Sequence, residues 1–214
     1  MKKVYLETYG CQMNVSDSER ISSTLASRGY EMTNIEDDAD VVIFNTCSVR
    51  EKAEQKLYTR VGHLRHSDRP KPIVGVMGCV AQLEGETLFS KIEGVDFVLG
   101  TQAVGRVADA IAKTLSTDEA IVDLGDREAD YDWTVADKHR HSPYIAFLPI
   151  IEGCNKFCTY CIVPFSRGRE RSFLASEIIR QVLELRRNGV REVHLIGQNV
   201  NSYRPDNDSG LEGF

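Results

Sequence analysis

The chain has 214 residues, a length that allows one or two domains, and its hydrophobic content of 42% is sufficient for a packed core. The net charge of −6 gives no indication of nucleic-acid binding, and no apolar run reaches the length of a membrane span or a signal-peptide core. We therefore expect a cytoplasmic protein. Because a reducing compartment disfavours disulfides, the six cysteines are expected to be metal ligands or catalytic groups.

The first half of the chain alternates strand and helix patterns with short connections. Continuous apolar runs are typical of strands buried on both faces of a sheet. The predicted strands cover residues 4–10, 30–33, 40–47, 72–79 and 97–100. The predicted helices cover residues 16–28, 49–65, 84–92 and 106–115. This alternation predicts an α/β domain over residues 1–115, with a parallel, flavodoxin-like or Rossmann-like sheet.

Three cysteines, Cys11, Cys47 and Cys79, each follow the end of a predicted strand. In a sheet of order 2-1-3-4-5 these strands are neighbours, and their carboxyl ends form the edge where open α/β sheets bind ligands. Gly10 and Gly78 precede two of the cysteines and allow tight turns. The alternative is that the three cysteines are small buried hydrophobic residues, but their equivalent positions favour a metal cluster.

Residues 116–142 lack clear periodicity and are expected to connect two domains, with a short strand possible at 120–124. From residue 143 a strand at 144–153, a helix at 172–189 and a strand at 192–200 predict the start of a βα barrel. The helix has one predicted apolar stripe: Ala175, Ile178, Ile179, Val182 and Leu185. Two strands cannot close a barrel, so residues 143–214 are expected to be a truncated domain with poor activity on its own.

The loop after the strand at 144–153 contains Cys154, Cys158 and Cys161. Cysteine thiolates are the usual ligands of iron–sulfur clusters, and three ligands leave one iron of a cubane open. An open coordination position is typical of a catalytic metal site. A zinc site, with a fourth ligand from a histidine elsewhere in the chain, and a redox-active thiol group are the alternatives.

The segment CNKFCTYC, residues 154–161, resembles the signature of radical S-adenosylmethionine (SAM) enzymes. The resemblance implies that SAM binds the open iron and is cleaved to a 5′-deoxyadenosyl radical. It also implies that Tyr160 lies near the nucleoside of SAM. Weaker candidates for contacts with SAM are Glu177, Gln198 and Asn199.

Further segments, TYGCQMNVSDSE, NTCSVREKAEQK and GVMGC, resemble the methylthiotransferase family. Together with EGCNKFCTYCIVPFSRG and GQNVNSY, they look like the branch that modifies carbon 2 of isopentenyl-adenosine beside the tRNA anticodon. The resemblance implies two [4Fe–4S] clusters, with Cys11, Cys47 and Cys79 holding an auxiliary cluster that provides the transferred sulfur. The resemblance also implies a monomer. Its implied partners are two SAM molecules, a tRNA anticodon stem-loop and an electron donor such as flavodoxin or ferredoxin. Family members also carry the rest of the barrel and a TRAM RNA-binding domain, which these 214 residues lack.

Two other functions remain open from the sequence. The same chemistry acts in related branches on threonylcarbamoyl-adenosine in tRNA or on a ribosomal protein, and a non-catalytic iron–sulfur or zinc-binding protein is the alternative of another class. Arg167, Arg169 and Arg171 follow the cysteine loop and are expected either to meet phosphate or cofactor or to be solvated. Phe157 and Phe165 are expected to be packing residues.

Overall fold

The computed structural model describes residues 1–48, 51–66, 70–117, 119–125 and 135–204. The chain divides into two compact units, Met1–Asp132 and Trp133–Phe214. The predictions for residues 49 and 50, for residues 118 and 126–134 of the connection and for residues 205–214 lie outside the described residues. Within the described ranges, no helix is long and apolar enough to cross a membrane.

The first unit contains six strands and five α-helices within its described residues. The strands are β1 (Lys3–Tyr9), β2 (Glu31–Thr33), β3 (Val41–Thr46), β4 (Ile73–Gly78), β5 (Phe97–Leu99) and β6 (Ile121–Asp123). The helices are α1 (Gln12–Ser27), α2 (Glu51–His66), α3 (Cys79–Glu84), α4 (Thr87–Lys91) and α5 (Val107–Ser116). Short 3₁₀ turns occupy Glu36–Asp38 and Val104–Arg106.

The six strands form one sheet of order β2-β1-β3-β4-β5-β6, and all neighbouring strands are parallel. The predicted order 2-1-3-4-5 is therefore confirmed. The short strand expected at 120–124 is also present, as the edge strand β6. Helices on both faces of a parallel sheet require strands that are apolar on both sides, and every residue of β3 is buried.

Two hydrophobic clusters cover the two faces of the sheet. Ile43 of β3 packs in the cluster that includes residues of α1 and α5, such as Leu25 and Ile111. Its neighbours Val42 and Phe44 belong to the other cluster, together with residues of α2 and α3. Successive side chains of a strand point to opposite faces, so this alternation places β3 in the middle of the domain.

Two helix boundaries differ from the predictions, and both lie beside a cysteine. Helix α1 begins at Gln12, four residues earlier than expected, because Cys11 serves as its N-cap residue and accepts the first helical hydrogen bond, from Val15. The helix predicted at 84–92 is instead two helices: α3 begins at Cys79, which was expected to end a strand, and α4 follows it. Gly78 has φ +92°, so a single residue makes the change from strand to helix.

The edge strand β6 is attached by an ion pair between Arg106 and Asp123. The Arg106 Nε and Nη2 atoms lie 2.5 Å and 3.0 Å from the two carboxylate oxygens of Asp123. These hydrogen bonds hold the pKa of Asp123 below its ordinary value. A carboxylate with a depressed pKa in the folded state stabilises the fold above its ordinary pKa and loses that contribution as the pH falls through the depressed value.

We expect Asp123→Asn to destabilise the first unit by about 1 kcal/mol at pH 7, the usual size for a partly exposed charge-assisted pair. The difference from wild type should shrink as the pH falls below about 4, the ordinary pKa of aspartate. Urea unfolding of the wild type and the variant at pH 7 and pH 3 measures the difference in their free energy of unfolding at each pH. Asp109→Asn is the matched control, since its pair with Arg28 is exposed on both sides. Equal destabilisation by Asp123→Asn at the two pH values would contradict the assignment.

The second unit contains four strands and two α-helices within its described residues. They are β7 (Ile145–Pro149), β8 (Ile151–Glu152), α6 (Val163–Ser166), β9 (Arg171–Ser172), α7 (Ala175–Arg187) and β10 (Glu192–Ile196), with 3₁₀ turns at Asp137–His139 and Val200–Ser202. Strands β7 and β10 are parallel with α7 between them in sequence, whereas β8 and β9 pair in antiparallel orientation. This arrangement confirms the predicted strand–helix–strand start of a βα fold.

Three details of the second unit differ from the predictions. The strand expected at 144–153 is interrupted at Ile150 and forms β7 and β8. Helix α6 and strand β9 were not predicted because elements of two to four residues leave no periodic signal. The buried face of α7 includes Gln181, while Ile179 is 49% exposed, so Ile179 does not belong to the apolar stripe. It follows Ile178, so on a helix it points about 100° away from that buried side chain.

Candidate functional site

The carboxyl ends of β1, β3 and β4 lie level with one another in the sheet. Tyr9 pairs with Thr46, and Thr46 pairs with Gly78. Cys47 and Cys79 are the next residues after two members of this row, on strands about 4.8 Å apart. The Cys47 N–H also donates to the Tyr9 carbonyl at 2.8 Å. The chain therefore brings Cys47 and Cys79 side by side at this edge.

Cys11 reaches the same edge from β1, two residues beyond Tyr9. It is exposed, whereas Cys47 and Cys79 are buried. Its backbone N–H and its thiol both donate to Asn14 Oδ1, each at 3.3 Å. As the N-cap residue of the 16-residue helix α1, Cys11 lies at the end of the helix where the dipole favours negative charge.

The loop with the other three cysteines is closed at its base by the β8–β9 pair. Gly153 has φ +75°, and its N–H donates to Gln198 Oε1 at 2.6 Å. The Cys154 N–H donates to the Gly168 carbonyl at 3.2 Å, so the two ends of the loop are held together. The loop is therefore anchored at its base, and Gln198 supports its backbone.

Within this loop the cysteines differ in exposure. Cys154 is buried, Cys158 is exposed and Cys161 is intermediate, with a hydrogen bond of 2.9 Å from the Cys161 N–H to the Cys158 carbonyl. Phe157 adopts φ +47°, which is unusual for a residue other than glycine and makes a sharp turn just before Cys158. The turn raises Cys158 to the surface.

The six thiols are suitable ligands for iron. All six cysteines lie in the described residues and are free, so no disulfide competes for them. In the described part of the chain, the side chains as they stand form no group of three or more His, Cys, Asp or Glu that could hold a metal ion. The fit therefore rests on the chemistry of the donors and on the backbone, which gathers one set at a sheet edge and the other in one loop.

The four residues expected near SAM lie in different surroundings. Tyr160 is 90% exposed and so is available to a ligand. Glu177 accepts hydrogen bonds from the Arg180 guanidinium, which lowers the pKa of this carboxyl and keeps it charged. Asn199 Nδ2 donates to Ser202 Oγ at 2.6 Å. Gln198 is already engaged with the cysteine loop.

The residues around this loop differ from one another in exposure. Phe157 and Phe165 are 57% and 65% exposed, and their rings meet edge to face at 6.4 Å, so they pack against each other at the surface. Arg167 is only 3% exposed, which excludes the solvated alternative for this residue. Arg169 is exposed, and Arg171 lies over the Phe173 ring at 5.7 Å. Together the loop presents an aromatic, accessible surface.

An open cleft of about 560 Å³ lies in the first unit beside β1 and α2. It is lined by Glu7, Tyr9, Gln55, Lys56, Thr59 and Arg60. The Lys56 ammonium lies 5.7 Å from the centre of the Tyr9 ring. Burial and a hydrogen bond with Glu7 raise the pKa of Tyr9, so its hydroxyl stays protonated at neutral pH. The cleft offers an aromatic ring, hydrogen-bonding groups and cations. The ring belongs to Tyr9, whose backbone carbonyl accepts the hydrogen bond from the Cys47 N–H.

Two buried residues behind the first cysteine set escaped the sequence analysis. Asn14 and Asn45 are 0% and 1% exposed, and their side chains bond to each other at 3.1 Å. One signal was available. Asn45 interrupts the apolar run of β3 two residues before Cys47, and a polar residue in a strand buried on both faces needs a partner.

Two family models match parts of the chain. Residues 148–211 match the model of the radical SAM superfamily, and residues 3–100 match the uncharacterized protein family UPF0004. The second unit, which contains the cysteine loop, is therefore similar to the radical SAM superfamily.

Curated relatives of this chain include proteins named tRNA-2-methylthio-N(6)-dimethylallyladenosine synthase. The relative from Thermosipho melanesiensis is 44% identical over 98% of the chain and 47% of its own length. Those from Koribacter versatilis and Cupriavidus taiwanensis are 41% and 44% identical over 94% and 95% of the chain, and 46% of each relative is covered. The chain spans about half the length of these relatives. The resemblance to the methylthiotransferase family is confirmed.

Two solved structures share the fold of this chain. The radical SAM methyltransferase TsrM from Kitasatospora setae, with tryptophan and a SAM analogue bound, has a TM-score of 0.60 at 12% identity and covers 94% of the chain and 48% of its own. The cobalamin-dependent SAM radical enzyme OxsB has a TM-score of 0.54 at 13% identity and covers 94% and 34%. At these identities the likeness concerns the fold alone. It confirms the predicted fold class.

Proposed function

We propose that this chain provides the cluster-binding part of a tRNA methylthiotransferase that modifies carbon 2 of isopentenyl-adenosine next to the anticodon. The observation that carries the proposal is the convergence of Cys11, Cys47 and Cys79 at one sheet edge, in a chain whose second unit has the radical SAM cysteine loop. A radical SAM enzyme needs only the loop. A second set of three thiols supports a reaction that requires a further cluster.

In this proposal each cysteine set holds one [4Fe–4S] cluster. Cys154, Cys158 and Cys161 hold the cluster that binds SAM, and the three cysteines of the first unit hold the cluster that provides sulfur. With these groups bound, the site gains one-electron chemistry able to break an unactivated C–H bond, which acid–base side chains do not supply.

The protein's own contribution is to hold and expose these ligands. Gln198 and the β8–β9 pair anchor the cysteine loop through backbone hydrogen bonds of Gly153 and Phe173. In the proposal Tyr160, whose ring is exposed, would contact the nucleoside of SAM. Glu177 and Asn199 are further candidate contacts for SAM, since both carry polar groups on elements that follow the loop.

RNA is the proposed macromolecular partner. Sequence-specific recognition of RNA usually targets unstacked bases of single-stranded loops, which stack on aromatic side chains. The cleft beside β1 combines Tyr9 with Lys56, and such a combination suits a base with its phosphate. An electron donor such as flavodoxin or ferredoxin, a monomeric state and a cytoplasmic location complete the proposal.

The test is a chimaera in which this chain replaces the matching half of the Thermosipho melanesiensis relative. The chimaera is expressed in cells that lack their own tRNA methylthiotransferase, and total tRNA nucleosides are separated and weighed by mass spectrometry. We expect the 2-methylthio form of isopentenyl-adenosine to appear. The same chimaera with Cys154→Ala is the control, and its tRNA should contain only isopentenyl-adenosine without the methylthio group.

The other functions predict different results in the same experiment. A methylthio group on threonylcarbamoyl-adenosine, or on a ribosomal protein, would reassign the substrate. If folded, iron-loaded chimaera forms neither a methylthio product nor 5′-deoxyadenosine from SAM, the chain is a non-catalytic iron–sulfur protein and the proposal fails.

A further inference from the structure

Two asparagine side chains lie fully buried behind the edge that carries Cys11, Cys47 and Cys79. Asn14 is in the first turn of α1 and Asn45 is near the end of β3, 31 residues apart in the chain. Asn14 Nδ2 donates to Asn45 Oδ1 at 3.1 Å, and Asn45 Nδ2 donates back to the Asn14 carbonyl at 2.9 Å. The pair thus joins the helix after β1 to the strand beside it.

The partners of each amide determine its orientation. The Thr46 carbonyl can only accept, and it lies 3.4 Å from Asn14 Nδ2. The Cys11 N–H can only donate, and it lies 3.3 Å from Asn14 Oδ1. Asn45 Nδ2 likewise faces a carbonyl and the Ser18 hydroxyl, at 2.9 Å each. Loss of either amide would remove hydrogen bonds from buried groups, which is unfavourable.

The asparagine pair contacts a residue at or beside each of the three cysteines. Asn14 binds Cys11 itself and the Thr46 carbonyl, which precedes Cys47. Asn45 packs against Gly78, the residue before Cys79, so closely that a Cβ on Gly78 would lie 2.5 Å from Asn45 Oδ1. The pair is therefore in contact with all three strand ends.

We propose that Asn14 and Asn45 are positioning residues that set the spacing of the three N-terminal thiols for the auxiliary cluster. The inference rests on the proposed assignment of these cysteines as cluster ligands. The paired residues of β1, β3 and β4 end at the row Tyr9–Thr46–Gly78, so the cysteines lie beyond the regular ladder. An apolar pair would fill the same space, but directional hydrogen bonds also fix where each strand end points.

The test uses the anaerobically reconstituted 214-residue chain with Cys154, Cys158 and Cys161 replaced by alanine, so that only the N-terminal cluster is observed. Asn14→Ala, Asn45→Ala and the double variant are compared for the rate of iron release to a chelator. We expect each single variant to release iron about tenfold faster, the size of effect typical for losing a buried hydrogen bond. Because the two amides act as one unit, the double variant should be no faster than either single variant.

Electron paramagnetic resonance of the reduced cluster gives a second readout, which general destabilisation of the fold would not change. We expect an altered spectrum in both alanine variants and an unchanged spectrum in Asp96→Ala. Asp96 is the matched control, because its Oδ2 accepts a hydrogen bond of 2.7 Å from the Val74 N–H near the start of β4, at the opposite end of the strand from Cys79. Wild-type release and spectra in both alanine variants would overturn the proposal.

If the alanine variants do not fold, Asn14→Gln serves instead, since it keeps both amide groups and displaces them by one methylene. Faster iron release supports the positioning role, and wild-type behaviour overturns it. A parent chain that binds no iron would instead remove the auxiliary-cluster assignment. In that case the alkylation rate of Cys47 is measured in the metal-free chain. An increase of about tenfold in Asn14→Ala would support the positioning role, and an unchanged rate would overturn it.

Discussion

Replacing Cys11, Cys47 and Cys79 with alanine is expected to lower the iron content of the anaerobically reconstituted chain from about eight to about four atoms. The reason is that the two cysteine sets lie in different compact units, one at the end of the parallel sheet and one in the loop closed by β8 and β9. Neither set should need the other to bind its cluster. Iron and sulfide analysis with Mössbauer spectroscopy measures the result.

The reciprocal variant, with Cys154, Cys158 and Cys161 replaced by alanine, is the matched control. It should also retain about four irons, but it should lose the ability to bind SAM at a cluster. If the wild-type chain held only about four irons and the first triple variant retained all of them, the N-terminal cysteines would be structural. The methylthiotransferase proposal would then lack a source of sulfur.

Gly153→Ala is expected to destabilise the base of the radical SAM loop by roughly 3 kcal/mol. Gly153 has φ +75°, a conformation that side chains other than glycine rarely adopt. A Cβ at this position would also lie 2.2 Å from the Arg169 carbonyl oxygen and 2.5 Å from that of Gly168. These backbone atoms cannot move aside without separating β8 from β9, so the variant should break the bond from the Cys154 N–H to Gly168.

Hydrogen–deuterium exchange of the peptides that contain β8 and β9 measures this loss directly, and the iron bound to the loop should fall with it. Gly168→Ala separates the two causes. Gly168 has φ +77° but no atom lies within 4 Å of its added Cβ, so only the conformational cost of about 1 kcal/mol remains. If the two variants exchange at the same rate, the close approach at Gly153 has no energetic importance.

Local patterns were sufficient for much of the architecture. The apolar runs of β3 and β4 predicted strands buried on both faces, and the alternation of strand and helix predicted the parallel order β2-β1-β3-β4-β5. Such patterns are visible in a sequence because the side-chain periods of strands and helices depend on neighbouring residues alone. The cysteine spacing of the loop and the segments around the other cysteines were sufficient to indicate the superfamily.

Other features depend on residues that are distant in the chain and meet only when it folds. The bond between Asn14 and Asn45 joins α1 to β3, and the bond from the Gly153 N–H to Gln198 spans 45 residues. No periodic pattern in the sequence predicts such pairs, because the packing of helices against strands determines which residues meet. The early starts of α1 and α3 have the same origin, since the contacts of Asn14 and Gly78 with Asn45 accompany the turns at Cys11 and Cys79.

The surroundings of the cysteine loop were also decided by tertiary packing. Phe157 and Phe165 are apolar and were expected to be packing residues, yet both are exposed. Solvation was one of the two roles expected for Arg167, yet Arg167 is buried. Hydrophobicity describes the average preference of a residue type, but the loop is held at its base by β8, β9 and Gln198 and presents its tip outward. The burial of each loop residue therefore follows from the orientation that these hydrogen bonds impose on the loop.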